Sequence, residues 1–379
     1  MSRWIPVLCC ALLPCTAGAQ IKVGVTLSLT GPGASLGIPE RDTVALFPRE
    51  IAGQKIEYVV LDDASDTTTA VKNAKKLVSE ENVDLILGPT VTPTSLAILD
   101  VIAEGRTPTI SLASSARIIA PMDDKRAWMF KTPQTDVQMA SGIMEHAAAR
   151  GLKSIAFLGQ ADTMGEAFYA EVTKQAQVHG IKVLANERFN TRDTSVTGQV
   201  LKIMAAKPDA VVIGAAGTPA AMPPKALVER GYRGLIYHNH GVGNGDFLRL
   251  CGKDCEGTFL PASPVLVAAQ LADGHPAKTA ALDYIKRFEA RYGPGTVTAF
   301  GAYAWDAGLL MKQAIPAALK AGKPGSAEFR KGMRDALEKI RGLPVSNGVV
   351  NMTPDDHLGL DQRARVMVKI VGGKWTLEK

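Results

Sequence analysis

Two hydroxyl-rich loops carry the chemistry this chain offers. Thr90, Thr92, Thr94 and Ser95 follow the apolar run Val83–Leu87, and Ser111, Ser114 and Ser115 bracket Leu112 and Ala113 after the next apolar run. Hydroxyls donate hydrogen bonds without adding charge. The first loop feeds a helix expected from about Ser95 to Glu104, and a helix N-terminus offers unpaired backbone N–H groups with a partial positive charge. In open α/β sheets, ligands collect beyond the carboxyl ends of the strands. Thr90, Thr92, Ala113, Ser114 and Ser115 are therefore candidate contacts to a small molecule bearing a carboxylate. Any one hydroxyl alone is better explained as an ordinary helix cap, since Ser and Thr are preferred there. The two loops together favour a site.

Other constellations are weaker. Gly31, Gly33 and Gly37 follow the first apolar run. Their spacing is not Gly-x-Gly-x-x-Gly and Pro32 interrupts them, so a dinucleotide site is not supported; a turn delivering Ser35 and Leu36 to the mouth of a sheet is the plainer reading. His238 and His240 share a face if they lie on one strand. Two such residues without neighbouring acids make a poor metal site, and no metal or cofactor is expected. The chain has no Gly-x-Ser-x-Gly elbow, phosphate-binding loop, His-Glu-x-x-His pair or paired catalytic carboxylates, which argues against an enzyme.

The elements that must position these residues alternate along the chain. A length of 379 residues suggests about two domains. Strands are expected at 21–29, 55–61, 84–87 and 108–111, with a helix after Asp66 burying Ala70, Val71, Ala74, Leu77 and Val78. After a break from Ala116 to Pro133 a second series runs, with a helix from Asp136, strands at 154–158, 181–187, 209–213 and 234–238, and helices between. Right-handed crossovers then give two α/β lobes, each a doubly wound parallel sheet. The run Val83–Gly88 echoes Pro208–Gly214, as two similar lobes would. Gly257 to Pro264 reads as a second crossover. Helices follow at about 277–291, with Leu282, Ile285 and Phe288 inward, at 299–319, bent or shortened by Pro316, and at 326–339. Strands at 348–351 and 365–371 close the chain. The expected division is 20–117 plus 262–344 for the first lobe and 118–261 plus 345–379 for the second.

The first nineteen residues read as an export signal. Arg3 supplies the charge, Trp4 to Pro14 the apolar run, and Ala17-Gly18-Ala19 the cleavage site before Gln20. Pro14 stands before Cys15 where a lipid anchor expects a small residue. No stretch is long and apolar enough to span a membrane. The mature chain is expected to be periplasmic and not membrane-spanning. Of five cysteines, Cys251 and Cys255 lie beyond the signal; an even pair in an oxidising compartment favours a local disulfide. The net charge of +6 is spread along the chain with no basic block interleaved with aromatics, so nucleic acid is not an expected partner.

The chain resembles the leucine/isoleucine/valine-binding type of periplasmic substrate-binding protein that serves ABC transporters. The landmarks are Ile21–Val25, Thr30-Gly31-Pro32, Leu61–Asp66, Leu87-Gly88-Pro89, Gly165-Glu166 and His240–Asn244, in order over the mature chain. The resemblance implies the type I periplasmic binding fold: two lobes joined by three hinge crossovers, closing on a small ligand and presented to permease subunits. It places Thr92 where a hydroxyl holds a ligand α-carboxylate, and Ser114 and Ser115 where a carbonyl and a hydroxyl meet an α-ammonium. Departures are equally informative. An aromatic residue is replaced by Leu36, one tyrosine by Met164, another by Ala215 or Ala216, and the acidic partner of the ammonium by His240. A buried ammonium without an anionic partner is costly. Two readings stand: an aromatic or branched aliphatic acid lacking the α-amine, or a branched-chain amino acid whose ammonium finds another partner. A ligand sensor feeding a receptor would share every one of these residues.

Overall fold

A computed structural model describes residues 20–378. The expected export signal over 1–19, with Cys9, Cys10 and Cys15, lies outside the described residues.

The first sheet is ordered Glu50–Ile51, Gln54–Asp62, Ile21–Leu27, Leu85–Leu87, Thr109–Ser111, Met129–Lys131. All neighbours are parallel except the short Glu50–Ile51 hairpin edge. The strand Ile21–Leu27 is almost wholly buried, as a central strand covered on both faces must be. The second sheet runs Lys182–Phe189, Ser154–Gln160, Ala210–Gly214, Leu235–His238, Phe259–Ala262, then Val366–Val371 and Lys374–Leu377, the last two antiparallel. In both sheets the second long strand lies outside the first and the third lies on its other side. The order reverses between Ile21–Leu27 and Leu85–Leu87 in one lobe, and between Ser154–Gln160 and Ala210–Gly214 in the other. The echo between 83–88 and 208–214 therefore falls on equivalent strands. Such reversal points open a crevice where loops diverge to opposite faces.

The same close approach recurs beside both crevices. A Cβ on Gly37 would stand 2.2 Å from the Ser28 carbonyl oxygen, and one on Gly165 would stand 1.9 Å from that of Gln160. Each glycine lets a helix start against the end of the strand before it. These helices, Ala34–Val44 and Thr163–Val178, carry Leu36 and Met164 at their first turns.

Several expectations need correction. Met129–Lys131 pairs with Thr109–Ser111, so the first sheet extends past the division expected at 117; a three-residue strand between prolines has no periodicity to read. Likewise Phe259–Ala262 is a strand of the second sheet and not a bare crossover. Gly348–Val350 pairs with Leu343–Val345 in a separate ribbon, and Val345 and Val350 pack in the first lobe's core; only from Val366 does the chain rejoin the second sheet. Helix Ala299–Ala321 continues through Pro316 without shortening. Leu282 faces outward, because Ala281, Tyr284 and Phe288 form the buried stripe of Lys278–Tyr292. The Cys251–Cys255 disulfide is formed, its Cα atoms 5.6 Å apart.

Three crossovers join the lobes, and a buried polar cluster ties them together. Gln134 Nε2 donates to Asn347 Oδ1 (3.0 Å) and to the Ala364 carbonyl, and Ser263 Oγ donates to the same Asn347 oxygen. Asn347 Nδ2 donates to Asp306 Oδ2 (2.6 Å), and Tyr303 donates to Gln134 Oε1 (3.1 Å). No helix among the described residues is long and apolar enough to cross a membrane.

Candidate functional site

The two crevices face each other across a cleft of about 510 Å³. From the first lobe it is lined by Pro32, Leu36, Thr90 to Pro93, Leu112 to Ser114, Phe300 and Tyr303. From the second come Gln160 to Asp162, Met164, Asn190 to Arg192, Ala216 and Asn239 to Gly241. Leu36, Val91, Leu112, Met164 and Phe300 make the walls largely apolar, with a few polar groups set among them, as small-molecule sites are.

The first loop departs from its expected shape in a way that matters. Its helix begins at Thr92, runs to Ala97, and a second short helix spans Leu99–Glu104. Val91 occupies the cap position, with no side-chain cap hydrogen bond. Thr92 is therefore not spent on capping. Its hydroxyl is buried, the residue only 1% exposed, and has no partner within the described residues. Thr90 is committed elsewhere: its hydroxyl accepts the Ser28 N–H (3.0 Å) and donates to Glu40 Oε2 (2.5 Å). Burial pushes the Glu40 carboxyl well up, partly offset by that bond from Thr90.

The second loop divides likewise. Ala113 and Ser114 line the cleft, and the Ser114 carbonyl accepts a 2.6 Å hydrogen bond from Lys131 Nζ. Ser115 is not in the lining. Its hydroxyl donates to Asp136 Oδ2 (3.0 Å) and accepts from the Arg117 N–H, so it caps the turn that follows.

On the second lobe, Met164 lines the cleft as expected. Asp162 caps its helix by accepting from the Met164 and Gly165 N–H groups, and burial pushes its carboxyl up. Ala215 lies behind the lining and Ala216 takes its place; Gln160 clamps Ala216 through both its N–H and its carbonyl. His240 is 3% exposed, and both its ring nitrogens lack partners. Burial, reinforced by the Lys131 charge and partly offset by the nearby Gln134 backbone, pushes its pKa down to about 3. A neutral imidazole offers one donor and one acceptor. The strand ends at His238, and His240 opens a tight turn. The two histidines therefore do not act as a pair: His238 packs edge-on against Phe247 at 5.1 Å.

Sequence reasoning missed Lys131, the rim segment Asn190–Arg192, Asn239, Phe300 and Tyr303. The last two reach the cleft from a helix far along the chain, and no local pattern announces such a contact. Lys131 ends the short strand that periodicity could not show.

The chain matches the family model described as periplasmic binding protein over residues 20–373. It is 25% identical over 248 residues to the leucine-, isoleucine-, valine-, threonine-, and alanine-binding protein of Pseudomonas aeruginosa. That alignment spans 64% of this chain and 66% of the relative, just under two thirds of its length. Among solved structures it is similar to an extracellular ligand-binding receptor from Rhodopseudomonas palustris HaA2. The two are 44% identical with a TM-score of 0.92, covering 95% of this chain and 100% of that one. A solute-binding protein of an ABC transporter from R. palustris, solved with 4-hydroxybenzoate, shares the fold at 19% identity and a TM-score of 0.80, covering 95% and 96%.

Proposed function

We propose, on the premise that this chain belongs to the periplasmic binding protein family, that it captures a small carboxylate-bearing ligand between its two lobes and delivers it to the permease subunits of an ABC importer. One observation carries this reading. Thr92 on one wall and His240 on the other are buried, line the same cleft, and make no hydrogen bond within the described residues through their hydroxyl and ring nitrogens. Buried polar groups are normally satisfied, so a ligand is the natural partner for both. Thr92 donates to one carboxylate oxygen; His240 donates from one ring nitrogen. Such charge-assisted bonds contribute about 1.5–3 kcal/mol each, and the apolar walls contribute the burial of the rest of the ligand.

A ligand touching both walls stabilises the closed arrangement by its differential affinity for it. The crossovers at 132–135, around Ser263, and at 361–365 are the hinges on this reading, and the cluster around Asn347 holds them in register. The relatives' ligands support the class. Leucine and 4-hydroxybenzoate, named for two of them, share little but a carboxylate.

The test is a thermal-shift and calorimetric screen of leucine, valine, benzoates and branched aliphatic acids, followed by uptake of the best ligand in cells with and without this protein. Stabilisation by a carboxylate and loss of its uptake on deletion are expected. Stabilisation by uncharged sugars or cations only would overturn the reading.

A further inference from the structure

Lys131 is a fully buried amine behind the Ser114 wall of the cleft, and the function just proposed does not use it. Its ammonium donates to the Ser114 carbonyl (2.6 Å) and the Gln134 carbonyl (3.2 Å), and among the described residues it forms no ion pair. The nearest acids act only at range. Asp136 is occupied by the Ser115 hydroxyl and the Ala116 and Val137 N–H groups, and Asp356 by the N–H groups of Leu358 and Gly359. A buried cation without an adjacent anion is costly, and burial pulls this amine down to about 7, so its charge is full only below neutral pH. Two groups of the cleft wall feel its charge. The Ser114 carbonyl already accepts from Lys131, so any ligand ammonium sharing its second lone pair would sit beside that charge. The His240 ring is held neutral partly by the same charge.

We infer that Lys131 sets the ligand class of this cleft: its buried ammonium, bound to the Ser114 carbonyl, favours carboxylates that lack an α-amine and rejects the zwitterion of an amino acid. This rests on the reading that the cleft takes a carboxylate. An α-ammonium beside Ser114 would meet a like charge, a carbonyl already shared with that charge and an imidazole that brings no negative charge. A carboxylate alone meets an attractive field. Asp162, the one carboxylate among the described lining residues, lies on the opposite lobe, and one of its oxygens is spent on the start of a helix. Lys131 does not itself line the cleft, so it acts as a positioning residue through Ser114 and His240, and its signature is discrimination and not affinity alone.

The experiment uses matched pairs that differ only in the amine: leucine against 4-methylpentanoate, and phenylalanine against 3-phenylpropanoate. Calorimetry on the wild-type protein at about pH 6, where the Lys131 amine is mostly charged, should show at least one acid bound about tenfold or more tightly than its amino acid. Lys131→Met should bring that ratio to within about threefold, and His240→Glu should invert it. The second variant decides if the first does not fold, because it leaves Lys131 in place. A wild-type protein that prefers the amino acid member overturns the inference and leaves carboxylate capture standing. So does an acid preference that both variants retain. Binding of no carboxylate in either pair, nor of benzoate, overturns the underlying reading and the inference with it.

Discussion

Replacing Thr92 by valine exchanges one hydroxyl for a methyl group of nearly the same shape, and the structure gives its effect two opposite signs. In this arrangement of the lobes the hydroxyl is buried and makes no hydrogen bond within the described residues. An unsatisfied buried polar group costs about 1–3 kcal/mol, so Thr92→Val should stabilise this arrangement of the lobes, without ligand, by roughly 1 kcal/mol once strain and residual solvation are allowed for. In a domain of lobe size that raises Tm by roughly 2–4 °C. In the complex the hydroxyl donates to a carboxylate, a bond worth about 1.5–3 kcal/mol. Its loss should weaken binding roughly 10- to 150-fold. Scanning calorimetry of the empty protein and titration calorimetry with the best carboxylate measure both. A lower Tm together with an affinity within about twofold of wild type would refute the reasoning, since the hydroxyl would then be a structural bond and not a ligand contact.

Burial pushes Asp306, at the hinge cluster, from 3.8 up to about 7. The folded state therefore holds this proton more tightly than the unfolded one, so its contribution to stability is fully present below about pH 3.8 and is lost as pH rises through about 7. Lys131 is displaced the other way, from 10.5 down to about 7, so its contribution is present above about 10.5 and lost as pH falls toward 7. Urea unfolding across pH should show the Asp306 component as a decline from about pH 4 to 7 that Asp306→Asn flattens; an unchanged slope in the variant would contradict it. Gly165→Ala puts a Cβ 1.9 Å from the Gln160 carbonyl oxygen. It should cost about 1–3 kcal/mol of stability and disturb Met164 at the cleft wall, read as a lower Tm and weaker binding together. Reduction of Cys251–Cys255, which closes a short loop in the second lobe's core, should cost roughly 2 kcal/mol at most and leave ligand affinity unchanged, checked by melts and titrations with and without dithiothreitol.

How far the sequence was legible depends on the length of the signal each element carries. Ile21–Leu27, Gln54–Asp62 and the helix capped by Asp66 are long enough for periodicity to show, and their order gave two α/β lobes. Met129–Lys131 and Leu343–Val345 are only three residues long and are held by neighbours distant in sequence; no local pattern encodes them. The site divides in the same way. Leu36, Thr92 and Met164 sit at fixed offsets after strand ends, and the structure brings all three to the cleft. Ser115 and Thr90 share the residue type and the loops, but their hydroxyls bond to Asp136 and Glu40, side chains 21 and 50 residues away. Which hydroxyl stays free is a property of packing across the lobe. Lys131 was hidden twice over, by a strand too short to read and by a charge that sequence patterns assign to the surface.

The most direct test of carboxylate capture between the lobes is a crystal structure of the protein with its tightest-binding carboxylate from the screen. The expected result is a ligand enclosed by both lobes, one carboxylate oxygen roughly 2.6–3.2 Å from Thr92 Oγ1 and a polar ligand atom at similar distance from a ring nitrogen of His240. A ligand bound to one lobe only, or one whose carboxylate lies away from Thr92 while that hydroxyl stays unpartnered, would contradict it.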